Sequence, residues 1–93
     1  MEVILFTMKG CSHCDNLKKK LNESNVPFVE KDVEIFNEIY EKFSKSVGSE
    51  YLPAVLIGKK AFIAERSFKT IKQAGEVIQN FLLEQDRHGN RLD

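Results

Sequence analysis

The chain has 93 residues, enough for one domain whose modest core needs no crosslinks. Apolar residues make up 42% of it, which argues against disorder, and 14 basic residues balance 14 acidic ones, so neither nucleic acid nor an anionic membrane is expected as a partner. No apolar run approaches the roughly 20 residues of a membrane helix, and no leader with a cleavage site precedes the first apolar run. We expect one cytoplasmic domain over residues 1–86 and a polar tail over 87–93.

The first predicted elements are a strand, a helix and a second strand. The continuous apolar run Val3–Phe6 is typical of a strand buried on both faces. A helix is predicted from about Ser12 to Glu23, and a second strand over about 26–31. The apolar positions of this helix recur at helical spacing and are Cys14, Leu17 and Leu21. Because a whole helix connects the two strands, we expect them to be parallel.

The next predicted element is a helix over about 34–47, for which Asp32 offers an N-terminal cap. Ile35, Ile39 and Phe43 repeat every four residues, and we expect the aromatic residues of this stretch to belong to the core and not to a cofactor site. Other large apolar residues lie beside this repeat, namely Phe36, Tyr40 and Val47.

A hairpin and a last helix complete the predicted order. The apolar runs Leu52–Ile57 and Ala61–Ala64 are joined by a short turn, which predicts an antiparallel pair. We expect Ser67 to cap a helix over about 68–86. Its apolar stripe comprises Ile71, Ala74, Val77, Ile78, Phe81 and Leu82. The order βαβαββα predicts an α/β fold in which helices cover a sheet.

The candidate reactive site is Cys11-Ser12-His13-Cys14, which holds both cysteines of the chain between the first strand and the first helix. Amide groups and the dipole at a helix start favour a thiolate, and in such motifs the pKa of the first cysteine falls from about 8.5 to roughly 3.5–7.5. Cys14 lies one turn further on, close enough to attack a mixed disulfide on Cys11. We therefore predict Cys11 as the nucleophile and Cys14 as the resolving thiol. A protonated His13 would stabilise the thiolate further.

Two stretches together resemble the glutaredoxin family of thioredoxin-fold proteins, and the resemblance covers about residues 2–85. They are Phe6–Cys14 and, about 40 residues after the cysteines, Tyr51–Val55. The resemblance implies a thioredoxin-like (glutaredoxin) fold with a four-stranded mixed sheet flanked by three helices. It also implies a catalytic cis Pro53 opposite Cys11. The backbone of Leu52 would then pair with the cysteinyl part of glutathione.

The resemblance further implies where glutathione is bound, although the chain departs from the family pattern at several positions. The implied contacts are Lys9, His13, Leu52, Pro53, Arg66 and Ser67. The family usually has a lysine three residues before the first cysteine, where this chain has Met8 and the lysine follows it. The family's Gly-Gly after the fourth strand is missing, and Phe68 stands where an aspartate is common.

The function that the resemblance implies is that of a dithiol reductase of protein or glutathione mixed disulfides. Glutathione would be a cosubstrate, no cofactor would be tightly bound, and the monomeric protein would act on disulfide-containing clients such as ribonucleotide reductase. The altered 64–68 stretch leaves open an electron donor of the same fold that thioredoxin reductase serves.

Two further alternatives are not enzymes. A metal or iron–sulfur carrier would use the two thiolates, but the remaining candidates, His13 and His88, complete no convincing ligand set in one chain, so no metal site is predicted. The intact cysteine pair argues against a redox-inactive binding module.

Overall fold

The computed structural model describes residues 2–89, with side chains described as far as residue 85. It contains the predicted elements in the predicted order. Their bounds are β1 Val3–Thr7, α1 Ser12–Glu23, β2 Val29–Asp32, α2 Asn37–Val47, β3 Ala54–Ile57, β4 Lys60–Ile63 and α3 Ile71–Gly89. None of the helices in the described part of the chain is both long and apolar enough to cross a membrane.

The four strands form one mixed sheet in the order β2-β1-β3-β4. The central strand β1 pairs in parallel with β2, as expected from the connecting helix, and antiparallel with β3. The predicted hairpin is also confirmed, with Val55 of β3 opposite Phe62 of β4. This order places the end of β1, which leads to the cysteines, directly beside the start of β3, which follows Pro53. The register that brings them together pairs Phe6 with Ala54.

The larger part of the core lies between the sheet and the helices α1 and α3. Leu5 of β1 points into it and is fully buried, and the predicted stripes of both helices face it. Its fully buried members include Leu17, Leu21, Val55, Ile57, Ala74 and Ile78. Because successive residues of a strand point to opposite faces, Phe6 enters the smaller core beneath α2. The prediction that β1 is buried on both faces is confirmed.

The helix α2 begins at Asn37, three residues later than predicted. Asp32 does not cap it, because its carboxylate accepts a hydrogen bond from the Glu34 amide (2.8 Å) and its carbonyl accepts from the Phe36 amide (2.8 Å). These bonds form a separate turn between β2 and the helix. Phe36 occupies the N-cap position, where no side-chain cap is present.

The four-residue repeat of this stretch does not form one buried face. Ile35 is 74% exposed and Ile39 is 47% exposed, whereas Phe43 is buried. A helix turns once every 3.6 residues, so a strict four-residue repeat drifts around its surface, and Ile35 lies before the helix begins. The aromatic contacts of α2 are made instead by Tyr40 and Phe43, whose rings lie 5.5 and 4.7 Å from that of Phe6.

The helix α3 also differs from its predicted bounds. It begins at Ile71, where the Thr70 hydroxyl accepts a hydrogen bond from the Gln73 amide (3.1 Å) and the Gln73 side chain accepts from the Lys69 amide (2.7 Å). The predicted cap, Ser67, accepts instead from the Ile63 amide (3.0 Å). The helix continues to Gly89, so its predicted end at 86 is wrong, and residues 90–93 of the expected tail lie outside the described residues.

Candidate active site

The two cysteines lie where β1 delivers the chain to the start of α1. Gly10, with φ of 77°, allows the turn before the helix, a conformation that side chains with a Cβ disfavour. Cys11 is the N-cap residue, and its Sγ accepts a hydrogen bond from the Cys14 amide at 3.1 Å. The Cys11 carbonyl accepts from the Asp15 amide at 3.1 Å. The sulfur predicted to be the nucleophile therefore occupies the place of a capping acceptor at the positive end of the helix.

The two cysteines form a disulfide, with their Cα atoms 5.2 Å apart, and they differ in access to solvent. Cys14 is fully buried against the sheet, whereas Cys11 is partly exposed. A thiol approaching from solvent therefore reaches the Cys11 sulfur and not that of Cys14. The roles of nucleophile for Cys11 and resolving thiol for Cys14 stay predictions.

A groove of about 590 Å³ lies beside the disulfide, and we call it the disulfide groove. His13, between the two cysteines, forms one side of it, and Leu52 and Pro53 form another. The start of α3 closes it with Lys69 and Thr70. The groove thus joins the cysteine motif to the proline loop, although the two stretches are about 40 residues apart in sequence.

The Leu52–Pro53 peptide bond is cis, as the resemblance implies. Pro53 is buried and leads directly into β3. Leu52 lies outside the strand, and within residues 2–89 its backbone amide and carbonyl form no hydrogen bond. These two groups remain available to an extended peptide lying in the disulfide groove.

Two of the predicted glutathione contacts have other partners in the structure. The Arg66 guanidinium donates to the carbonyls of Val47 (2.5 Å) and Gly48 (3.3 Å) at the end of α2, outside the disulfide groove. The Ser67 hydroxyl accepts from the Ile63 amide. Phe68, which stands where the family often has an aspartate, is 3% exposed and packs in the larger core. The structure therefore does not bring Arg66 and Ser67 together with His13, Leu52 and Pro53.

Lys9 is exposed in a separate depression, on the side of the cysteine loop where Thr7 and Glu30 lie. The buried Thr7 hydroxyl donates to Glu30 at 2.7 Å, and Lys18 lies 3.2 Å from the same carboxylate. The bond from Thr7, followed by those from Lys18, lowers the pKa of Glu30. The bond to Glu30 raises the pKa of Lys18. Sequence reasoning missed this network, which links β1, β2 and α1 below the cysteine loop.

A metal site has little support in the described part of the chain. Residues 2–85 contain no group of three or more His, Cys, Asp or Glu side chains arranged to hold a metal ion. The thiolates of Cys11 and Cys14 would supply two ligands, and His13 is exposed beside them. A complete site would need ligands from outside this part of the chain.

Comparison with known proteins assigns the family. A family model described as Glutaredoxin matches residues 3–63. N-acetyl-S-hydroxy-L-cysteine reductase of Bacillus subtilis (strain 168) is 30% identical over 59 residues, a match that spans 63% of this chain and 63% of the relative.

Two solved structures share the fold. NrdH-redoxin of Escherichia coli, a glutaredoxin-like protein with a thioredoxin-like activity profile, has a TM-score of 0.63 at 22% identity, covering 78% of this chain and 93% of its own. Glutaredoxin from Brucella melitensis has a TM-score of 0.62 at 20% identity, covering 91% and 86%. The chain belongs to the glutaredoxin family, and the matched residues include its bonded Cys11–Cys14 pair.

Proposed function

We propose that the protein reduces protein disulfides and glutathione mixed disulfides by a dithiol mechanism. The Cys11 thiolate attacks one sulfur of the substrate disulfide, and the other sulfur leaves as a thiolate. Cys14 then loses its proton, attacks Cys11 and displaces the second substrate thiolate. The two electrons that reduce the substrate come from the cysteine pair, which becomes the Cys11–Cys14 disulfide. One proton comes from Cys14 and the other from solvent, which had taken up the proton of Cys11.

The observation that carries this proposal is the unequal burial of two bonded sulfurs at a helix start. Cys11 is partly exposed and its sulfur accepts an amide hydrogen bond, while Cys14 is fully buried one turn away. The exposed sulfur is thereby suited to capture a substrate, and the buried one to release it. The free backbone groups of Leu52 support an extended substrate beside them.

In this proposal the oxidised enzyme is reduced by glutathione, which acts as a cosubstrate, and no cofactor is tightly bound. Disulfide-containing proteins of the cytoplasm, with ribonucleotide reductase as one example, are the proposed clients. Leu52 and Pro53 would orient the cysteinyl part of glutathione, and Lys69, the one lysine among the lining residues of the disulfide groove, would face one of its carboxylates beside His13 and Glu65. Lys9, Arg66 and Ser67 would contribute only if their side chains left their present positions.

A second candidate is an electron donor of the same chemistry that is reduced by thioredoxin reductase. The observation that favours it is the altered segment after β4. There Arg66 donates to a carbonyl at the end of α2, Ser67 accepts from the Ile63 amide and Phe68 is buried. A protein reductase needs the exposed Cys11 and the surface around it, but no γ-glutamyl site. The NrdH-redoxin of Escherichia coli, whose activity profile is thioredoxin-like, shares the fold.

The experiment that separates these candidates measures NADPH consumption with one protein disulfide as substrate. One arm supplies glutathione with glutathione reductase, and the other supplies thioredoxin reductase alone. Turnover in the first arm supports the glutathione-linked enzyme, and turnover confined to the second supports the other donor. If the fully reduced protein fails to reduce the disulfide stoichiometrically, the dithiol mechanism itself is wrong.

A further inference from the structure

The outer surface of α2 has features that the proposed redox chemistry does not use. Ile35 and Ile39, which belong to the four-residue repeat, are 74% and 47% exposed. Ile35 is the most exposed large apolar residue in the described part of the chain. Large aliphatic side chains left uncovered next to each other are typical of an interaction surface.

A shallow groove of about 430 Å³ runs along the same helix, between α2 and the strands β3 and β4. We call it the α2 groove. Its apolar lining includes Val47, Leu56 and Ala61, and Ile39 stands on its edge. Its charged residues are Lys42 and Lys59, and no acidic residue lines it. The α2 groove therefore fits an apolar side chain that is flanked by carboxylates.

Ile35 is such a side chain. It is flanked by Glu34 and lies three residues before Glu38 of the first turn of α2, and all three residues are exposed. The acidic group lies at the start of α2, whereas Lys42 and Lys45 lie in its second half. The same order of charges stabilises a single helix through its dipole, so by itself it does not indicate a partner. The inference therefore depends on the exposed isoleucines and the lysine-lined groove together.

We propose that two copies of the chain associate through α2, with the helices antiparallel across a two-fold axis. Ile35 of each copy enters the α2 groove of the other, and Glu38 of each copy faces the other copy's Lys45. Such a contact is self-complementary, because one surface carries both the inserted side chain and the groove that receives it. In residues 2–85 neither Glu38 nor Lys45 forms an ion pair within the chain, so both remain available.

This dimer leaves the redox site open. The helix α2 packs on the smaller core with Phe6, whereas α1, which carries the cysteines, packs on the opposite face of the sheet. The proposal replaces the monomer expected from the sequence. It is independent of the reductant that the enzyme uses, because α2 contributes no residue to the disulfide groove.

The first test is sedimentation velocity of the purified protein over a range of concentrations at low and high salt. We expect a monomer–dimer equilibrium that weakens as salt rises, because part of the attraction is between exposed charges. The variant Ile35→Glu should be monomeric at every concentration tested. Leu83→Glu, which changes another exposed apolar residue on α3, is the matched control and should associate like the wild type.

The charged contacts allow a sharper test, because a single reversal places like charges opposite each other. Glu38→Lys alone and Lys45→Glu alone should each raise the dissociation constant of the dimer about tenfold or more. An equimolar mixture of these two variants should form a heterodimer, since every facing pair is again of opposite sign. The control Glu76→Lys, on the exposed surface of α3, should have no effect.

Three results would overturn the proposal. The first is a wild-type protein that stays monomeric up to millimolar concentration. The second is a dimer that survives Ile35→Glu and both charge reversals, since it would use another surface. The third is a monomeric wild type for which Ile35→Glu slows the reduction of one protein client but not of a small disulfide, since the α2 surface would then belong to that client.

Discussion

The region from the cysteines to the segment after β4 has two ends that differ in how closely they follow the pattern of the glutaredoxin family. Of Arg66, Ser67 and Phe68 at the second end, only Phe68 lines the disulfide groove. At one end, Gly10, Cys11 and the cis Pro53 have the geometry that thiol exchange requires. At the other end, Arg66, Ser67 and Phe68 are held by contacts within the protein. The residues suited to thiol exchange are therefore separate from those that the family pattern would use to bind the thiol cosubstrate. A chain can keep the first set while the second set changes.

The largest effect is expected at the cysteine end. Cys11→Ser should abolish all thiol–disulfide turnover, because of the two cysteines only Cys11 is accessible from solvent. Cys14→Ser should keep the release of glutathione from glutathionylated proteins but lose the reduction of protein disulfides, which needs the second thiol. Turnover of both substrate types by the two variants measures this. If Cys14→Ser lost both activities, the assigned roles would be incorrect.

The next largest effect is expected at the opposite end, where Phe68→Asp would restore a residue common in the family. The carboxylate would replace a ring buried in the larger core, so we expect a loss of at least about 3 kcal/mol in the free energy of unfolding. Phe68→Leu, which keeps the site apolar, should lose less. Denaturant unfolding measures both variants. A stable Phe68→Asp protein with faster glutathione turnover would show that the two ends are not as different as we infer.

A smaller effect is expected from His13, which belongs to both the cysteine motif and the disulfide groove. In the reduced protein, the rate of Cys11 alkylation should reach half its maximum at a pH clearly below that of free cysteine, because the helix start stabilises the thiolate. His13→Phe should move this midpoint to higher pH, whereas His13→Lys, which keeps a positive charge, should not. A midpoint like that of free cysteine would mean that the helix start does not activate Cys11.

Glu65, in the segment after β4 that departs from the family pattern, adopts a left-handed backbone conformation with φ of 70°. A residue with a Cβ is strained there by about 1–2 kcal/mol, and glycine is not. Glu65→Gly should therefore stabilise the protein by roughly 0.5–1 kcal/mol after the added entropy of the unfolded chain is subtracted. Asn25→Gly, at φ of 57°, is the control and should gain less, since asparagine tolerates this conformation. Equal losses in both variants would contradict the assignment of strain.

The smallest effect concerns the Thr7–Glu30–Lys18 network beneath the cysteine loop. Because the pKa of Glu30 is lowered in the folded protein, its carboxylate stabilises the fold above its unfolded pKa of about 4.3, and this contribution disappears as pH falls below that range. Glu30→Gln should be less stable than wild type at pH 7, by at most about 1 kcal/mol for so exposed a group. The difference should vanish near pH 2. Equal stabilities at pH 7 would show that the network contributes nothing.

Much of the fold was predictable because its signals are local. The apolar run of β1, the stripe of α1 and the cysteines at the start of a helix follow from neighbouring residues. The exposed Ile35 and Ile39 were not predictable, because the start of α2 is set by a turn that Asp32 closes. The same holds at the site. The positions of Cys11 and Pro53 follow a local motif and a resemblance, whereas the partners of Arg66 and Ser67 depend on contacts across the fold.

The edges of the sheet have a consequence for the clients of a disulfide reductase, which are often partly unfolded. The outer strands β2 and β4 have four residues each, and both carry charged residues, including Lys31 and Lys60. Short charged edges disfavour the addition of a foreign strand. For the proposed function, this means that an extended client would pair with the backbone of Leu52 and not with the edges of the sheet. Short charged edges would also disfavour the stacking of unfolded client segments on the protein.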